Sequence, residues 1–191
     1  MIRSALLLAA TVTTAAGNSG AQFTSFAGVT LDETTTLADV TTRFGKTSLL
    51  ESGDAGGYEA SVCYITKKAL VSFRSHEMGG PEHRVLGFAI STLRGAHHCA
   101  KAPAALEEVE LEVGGVKLGM TRKQFSNRVG DAKPTEGMLC HFFENKVPMT
   151  EAEAKAAGIG GQSYFDETIS VCGTFERDVL VEYLVWRIRT T

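Results

Sequence analysis

Imidazoles and sulfurs sit side by side at two places in this chain, His97-His98-Cys99 and Cys140-His141, and one further stretch carries His76-Glu77 and His83. Groups of this kind can ligate a transition metal or activate a thiolate, so they are the first residues to test for chemistry. Their spacing favours neither. No C-x-x-C pair occurs for a structural zinc site, no histidine has the i, i+4 spacing of H-E-x-x-H, and no G-x-S-x-G nucleophile elbow is present. A bound metal would use His97 and His98, and adventitious binding there would not amount to a function. Cysteines joined in disulfides are neither nucleophiles nor ligands. The expectation is a protein that is not an enzyme and has no metal or cofactor, with a metal-dependent or hydrolytic activity as a disfavoured alternative.

The state of the cysteines depends on the compartment, and the N-terminus predicts export. Arg3 precedes the apolar run Ala5 to Val12, and Ser19-Gly20-Ala21 supplies small residues suited to signal peptidase, so residues 1–21 read as a signal peptide and Gln22 as the first mature residue. That run is far shorter than the roughly 20 residues of a membrane span, and no later stretch is long and apolar enough. No cysteine lies near the cut, the first being Cys63, so a lipid anchor of the usual bacterial kind is not supported. The protein is expected to be secreted or periplasmic. In that setting four cysteines read as two disulfides, most simply Cys63 with Cys99 and Cys140 with Cys172, although three connectivities are open in principle.

Charge narrows the partners. The formal net charge is −3 and falls to −4 once Arg3 is removed, with only Arg187 and Arg189 as a local basic excess, so nucleic acid is an unsuitable partner. Gly158-Ile159-Gly160-Gly161-Gln162-Ser163 has the composition of a phosphate loop but follows a predicted helix and leads toward a strand, the reverse of a nucleotide site.

The elements that must position these residues are stated twice. Thr36, Val40, Arg43, Phe44 and Gly45 are matched 85 positions later by Thr121, Phe125, Arg128, Val129 and Gly130, and each set follows a Gly-Val-x-Leu step, at Gly28 and at Gly115. A long period seen only twice implies two packed copies rather than a solenoid. The expected organisation is a first helix-plus-sheet repeat over 22–105 and a second over 106–191. In each, a threonine caps a short helix whose apolar stripe packs inward and whose glycine ends it. Strands are predicted at Tyr58 to Ile65, Ala69 to Arg74 and Val85 to Thr92, then at Met138 to Phe143, Glu167 to Phe175 and Val179 to Arg189. Thr150 and Glu153 form a capping box that starts an inserted helix ended by Gly158. Residues 106–113 alternate Val109, Leu111 and Val113 with Glu108, Glu110 and Glu112, which predicts a linker strand with one wet face.

The stretch Val116-Lys117-Leu118-Gly119-Met120-Thr121-Arg122-Lys123-Gln124-Phe125, closed by Val129-Gly130 and followed by Pro134, resembles the Gly-Met-Thr helix signature of BamE-like outer-membrane assembly proteins and the repeat of β-lactamase-inhibitory proteins. The second resemblance is nearer in plan. It implies an exported α+β protein of two tandem helix-plus-antiparallel-sheet repeats with one disulfide per half, whose sheets form a concave protein-binding surface. The first half departs from the signature, with Asp32-Glu33-Thr34-Thr35-Thr36 in place of Gly-Met-Thr. The matched residues cap and pack, so the resemblance transfers no binding site.

A binding surface is instead read from the last strand. Leu184, Trp186 and Ile188 alternate with Tyr183, Val185, Arg187 and Arg189, which predicts an apolar face turned inward and a Tyr/Arg face turned outward, the residue types that anchor interfaces. Phe142 shares the side of Cys140 and joins the set if that side is exposed. The expected partner is another exported protein, a hydrolase or a toxin, bound through Phe142, Tyr183, Arg187 and Arg189, with its inhibition as an open consequence of binding. The alternative is a structural component of envelope assembly.

Overall fold

The computed structural model describes residues 20–54, 56–92, 98–159 and 163–191. The predicted signal peptide falls almost wholly outside these residues, as does His97. No helix among the described residues is long and apolar enough to cross a membrane.

The chain opens with a hairpin, β1 (Ser25–Phe26) and β2 (Val29–Thr30), then helix α1 (Leu37–Phe44) and strands β3 (Leu50–Ser52), β4 (Glu59–Ile65), β5 (Leu70–His76) and β6 (Gly87–Ser91). A short β7 (Ala100–Lys101) and one helical turn, α2 (Ala104–Glu107), lead to a second hairpin, β8 (Glu112–Val113) and β9 (Val116–Lys117). Helix α3 (Arg122–Val129) then precedes β10 (Lys133–Thr135), β11 (Met138–Pro148), helix α4 (Glu151–Ala156), β12 (Tyr164–Glu176) and β13 (Val179–Thr190). The chain is α+β and dominated by sheet.

Local chemistry accounts for the helices. Thr36, Thr121 and Thr150 each accept a hydrogen bond from the backbone N–H three residues on, while the side chains of Asp39, Gln124 and Glu153 accept from the threonine N–H in return. Three capping boxes therefore satisfy donors that a helix start leaves open, each worth about 1 kcal/mol. Leu37, Val40 and Phe44 of α1 and Phe125 and Val129 of α3 are buried, as their spacing predicts, and Gly45 and Gly130 end the helices at positive φ.

The strands do not form one sheet per half. They join in a single sheet ordered β10-β11-β12-β13-β6-β5-β4, with β3 and β7 sharing the outer edge of β4. The join is antiparallel, Glu182 to Trp186 of β13 against Ser91 to Gly87 of β6. Strands β11 and β12 each run several residues past their predicted ends, so β11, β12 and β13 reach beyond β6 as a three-stranded arm with α4 at its tip.

The linker strand over 106–113 is corrected. Leu106 lies in α2, fully buried, and only Glu112 and Val113 pair, with Val116 and Lys117. Pro103 starts the helical turn, and the Glu107 carboxylate holds it by accepting from the Lys67 N–H at 3.1 Å. Gly114 and Gly115, both at positive φ, then reverse the chain too soon for a longer ladder.

Helices α1 and α3 lie on the same face of the sheet, where one apolar cluster gathers residues from the whole chain. Phe44 stacks on Phe73, Phe26 meets Phe88, and Phe125 meets Phe175 edge-on. Phe23 reaches across from the N-terminal segment to stack on Phe143 of β11, over Gly114, where a Cβ would come within 2.3 Å of its ring. The centre of this cluster includes Tyr183, fully buried, whose hydroxyl donates to the Leu111 carbonyl at 3.4 Å. Burial pushes its phenol pKa far up, with Glu112 adding to the effect, so it stays neutral. Tyr183→Ala should therefore destabilise the protein by about 3 to 5 kcal/mol in a denaturant titration, the cost of emptying a large core site. A loss under about 1 kcal/mol would contradict this placement.

Candidate functional site

Cross-strand register fixes what the other face of the sheet carries. Cys63, Ser72, Ala89, Leu184, Cys172 and Cys140 form one row across six strands. Ser61, Arg74, Gly87, Trp186, Ser170 and Phe142 form the next. None of these residues belongs to the apolar cluster under the helices. We refer to this side as the open face, although its small residues Cys63, Ser72, Gly87, Ala89, Cys140 and Cys172 are themselves buried.

The cysteines pair as Cys63–Cys99 and Cys140–Cys172. Both bridges lie at the ends of the first row, so one staples each flank of the open face. Cys140 and Cys172 are direct cross-strand partners, and their bond closes the long excursion through α4. Loops of this length, with separations of 36 and 32 residues, are each stabilised by about 3 to 4 kcal/mol through restriction of the unfolded chain. Two disulfides fit a protein of an oxidising compartment, outside the cell or in the periplasm.

Between the staples the open face is aromatic and aliphatic. Phe142 is 46% exposed, and Leu184, Trp186 and Ile188 are half-buried. Trp186 needs a glycine beside it, because a Cβ on Gly87 would sit 2.5 Å from the indole ring. The ring lies over Gly87 and reaches His76, with centroids 5.3 Å apart. Arg74 binds Glu59 at 3.1 Å and donates to the Ser72 hydroxyl at 3.3 Å.

The expected Tyr/Arg binding face is corrected here. Tyr183, Val185, Arg187 and Arg189 do share one side of β13, but it is the helix side. Tyr183 and Val185 are fully buried there, so the alternation that groups the four also turns both arginines inward. Beyond the end of β6 the apolar core gives way to an ionic one. Glu167, with its side chain only 8% exposed, accepts from Arg187 Nε and Arg189 Nε, each at 2.9 Å, and Arg187 also donates to the Leu31 carbonyl. The arginines therefore tie β12, β13 and the segment after β2 together. Phe142 is on the opposite side of the sheet and cannot join them. Trp186, Leu184 and Ile188, expected inward, take its side instead.

The histidine clusters come apart in the fold. Cys140 faces the open side, while His141 points to the helix side, with Nδ1 3.2 Å from the Asp131 carbonyl and its ring 4.4 Å from Phe143. Such neighbours in sequence on a strand cannot act on one substrate. His83 stacks on Tyr58 at 6.0 Å, and His98 lines a groove with Lys46, Thr47 and Ser48. Among the described residues no group of three His, Cys, Asp or Glu is placed to hold a metal ion.

Burial raises the cost of ionising Glu167, but hydrogen bonds from Arg189 and Arg187 outweigh it and hold its pKa below the ordinary carboxylate range. A depressed folded-state pKa stabilises the fold above the unfolded pKa, and that share is lost as pH falls through the folded value. Glu167→Gln should cost about 1 to 3 kcal/mol at neutral pH. Its stability should also decline less steeply than the parent's below about pH 4 in urea titrations across pH. Equal slopes in the two proteins would remove Glu167 from this role.

No family model matches the chain, and no curated protein does. Among solved structures the chain is similar to one from Streptococcus mutans described as a "putative beta-lactamase inhibitor protein", at 14% identity over 85% of this chain and 89% of that one, with a TM-score of 0.26.

Proposed function

We propose that this is an exported protein-binding module, of inhibitor type and without catalytic activity, that docks another exported protein on the open face of its sheet. The observation that carries this reading is the asymmetry of the sheet. One side is closed by α1 and α3, while the other presents Phe142, Leu184, Trp186 and Ile188 and carries a disulfide at each flank, Phe142 sharing its strand with Cys140. Apolar and aromatic side chains held on a stapled sheet lose little conformational freedom on binding, which is what energetic anchors need. Single exposed apolar residues are ordinary on any surface, whereas four on adjacent positions of one strand and its second neighbour make a patch.

We also propose that the two halves descend from one copied unit. Support comes from the contacts that the matched residues make. Thr36 bridges Arg84 and Thr121 bridges Val179, so one helix cap docks just before β6 and the other at the start of β13, the two strands that pair at the join. Arg43 lies over Gly28 as Arg128 lies over Gly115.

The test is capture from the native envelope or secreted fraction by the immobilised protein. Phe142→Ala and Trp186→Ala should each weaken capture of a specific exported protein by about 1 to 3 kcal/mol, with unchanged circular dichroism. Lys123→Ala, on the exposed side of α3, should leave it intact. Equal capture by all three variants would dismiss the open face, and recovery only with outer-membrane assembly proteins would favour the envelope-assembly alternative.

A further inference from the structure

At one end of the open face lies a cavity of about 280 Å³, lined by Tyr58, Glu59, His76, Glu77, Trp186 and the backbone of Gly56 and Gly57. Three elements build it. The turn before β4 supplies Tyr58, the end of β5 supplies His76, and β13 supplies the indole wall, which leans over Gly87 to reach the imidazole.

The charged groups that line it are both carboxylates. Glu77 is exposed and has no ion pair among the described residues, and Arg74 takes only Oε1 of Glu59, from outside the cavity. Tyr58 directs its hydroxyl to Glu51, adding a further carboxylate nearby. His76 accepts the Met78 N–H on Nδ1 at 3.1 Å, which leaves Nε2 as the N–H of a neutral ring, and Nε2 is buried without a partner. An aromatic face beside two carboxylates, with no cation among the described lining residues, is complementary to a flat delocalised cation. A guanidinium can stack on the indole while its N–H groups bond the carboxylates, a combination that an ammonium matches poorly.

We propose that this cavity receives an arginine side chain of the protein that docks on the open face, with the guanidinium on the Trp186 ring and its donors on Glu77 and Glu59. The proposal rests on the docking reading above and names the chemistry that partner must present: an arginine at the edge of an apolar contact surface. The arginine supplies register, since only one placement of the partner puts the cation in the cavity while apolar groups cover Phe142 and Leu184.

Trp186 is the only tryptophan in the chain, so its emission reports on the cavity directly. N-acetyl-arginine methylamide, titrated into the full chain, should change that emission saturably. The citrulline analogue, isosteric but uncharged, should bind about fivefold more weakly or worse, and Glu77→Gln should weaken the arginine probe by about threefold or more with an unchanged unfolding midpoint. Citrulline matching arginine, Glu77→Gln binding like the parent, or no change in emission would each overturn the proposal. Phe142 lies outside the cavity, so Phe142→Ala should leave this titration unaltered while weakening capture. A failed titration beside capture that depends on Phe142 refutes the arginine site and leaves the docking face standing. A successful titration beside capture indifferent to Phe142 does the reverse.

Discussion

The antiparallel pairing of β13 with β6 is the constraint on which the rest of this molecule depends. Five residue pairs, from Glu182 with Ser91 to Trp186 with Gly87, fuse the strands of both halves into one sheet. A sheet has two faces whose occupants alternate along every strand, so this single register also decides which residues of each half share a surface. A shift by one residue would exchange the buried Tyr183 for Leu184 and carry Trp186 under the helices.

Glycine makes the pairing possible where it matters most. Gly87 has no Cβ, and the indole of Trp186 fills the space one would occupy, crossing from β13 toward β5. The open face is thus continuous across the join, with a tryptophan of the second half completing a cavity whose other side chains belong to the first. On the opposite face the same strand runs from the aromatic core at Tyr183 to the ionic cluster at Arg187 and Arg189. There the two guanidiniums donate to a nearly buried Glu167, and the Leu31 carbonyl accepts from Arg187 and holds it in place. A charge buried in that way is tolerated because each of its partners is already oriented by the sheet register.

The disulfides serve this arrangement by position. Each closes a loop within one half, and both emerge on the open side in the row through Ala89 and Leu184. They brace the flanks of the face that no helix supports. The bridge at Cys140 and Cys172 also fixes the base of the arm formed by β11, β12 and β13, whose outer strand has no partner past the end of β6 among the described residues.

Much of this was legible in the residues alone, wherever the governing interaction is local. The threonine caps, the apolar stripes of α1 and α3, the inserted helix at Thr150 and the cores of six strands follow from contacts within a few positions, and hydrogen bonds of that range are written in sequence spacing. Alternation along β13 likewise sorted its residues into two sets. It could not say which set faces inward, because both contain large side chains and the arginine set also contains Tyr183 and Val185. That choice was made by β6, α3 and the N-terminal segment, all distant in the chain, and it turned Tyr183, Arg187 and Arg189 away from solvent. The stretch 106–113 failed for a related reason: its alternation suits a strand, but only Glu112 and Val113 pair before Gly114 and Gly115 turn the chain, and Leu106 is claimed by the core. Sequence by itself determined the three capped helices and the cores of six strands, and it favoured the sulfur pairing Cys63 with Cys99 and Cys140 with Cys172 without deciding it. Only the tertiary structure decided which face is open and that Trp186, Glu59 and Glu77 meet in one cavity, because those outcomes depend on the register between strands nearly one hundred residues apart.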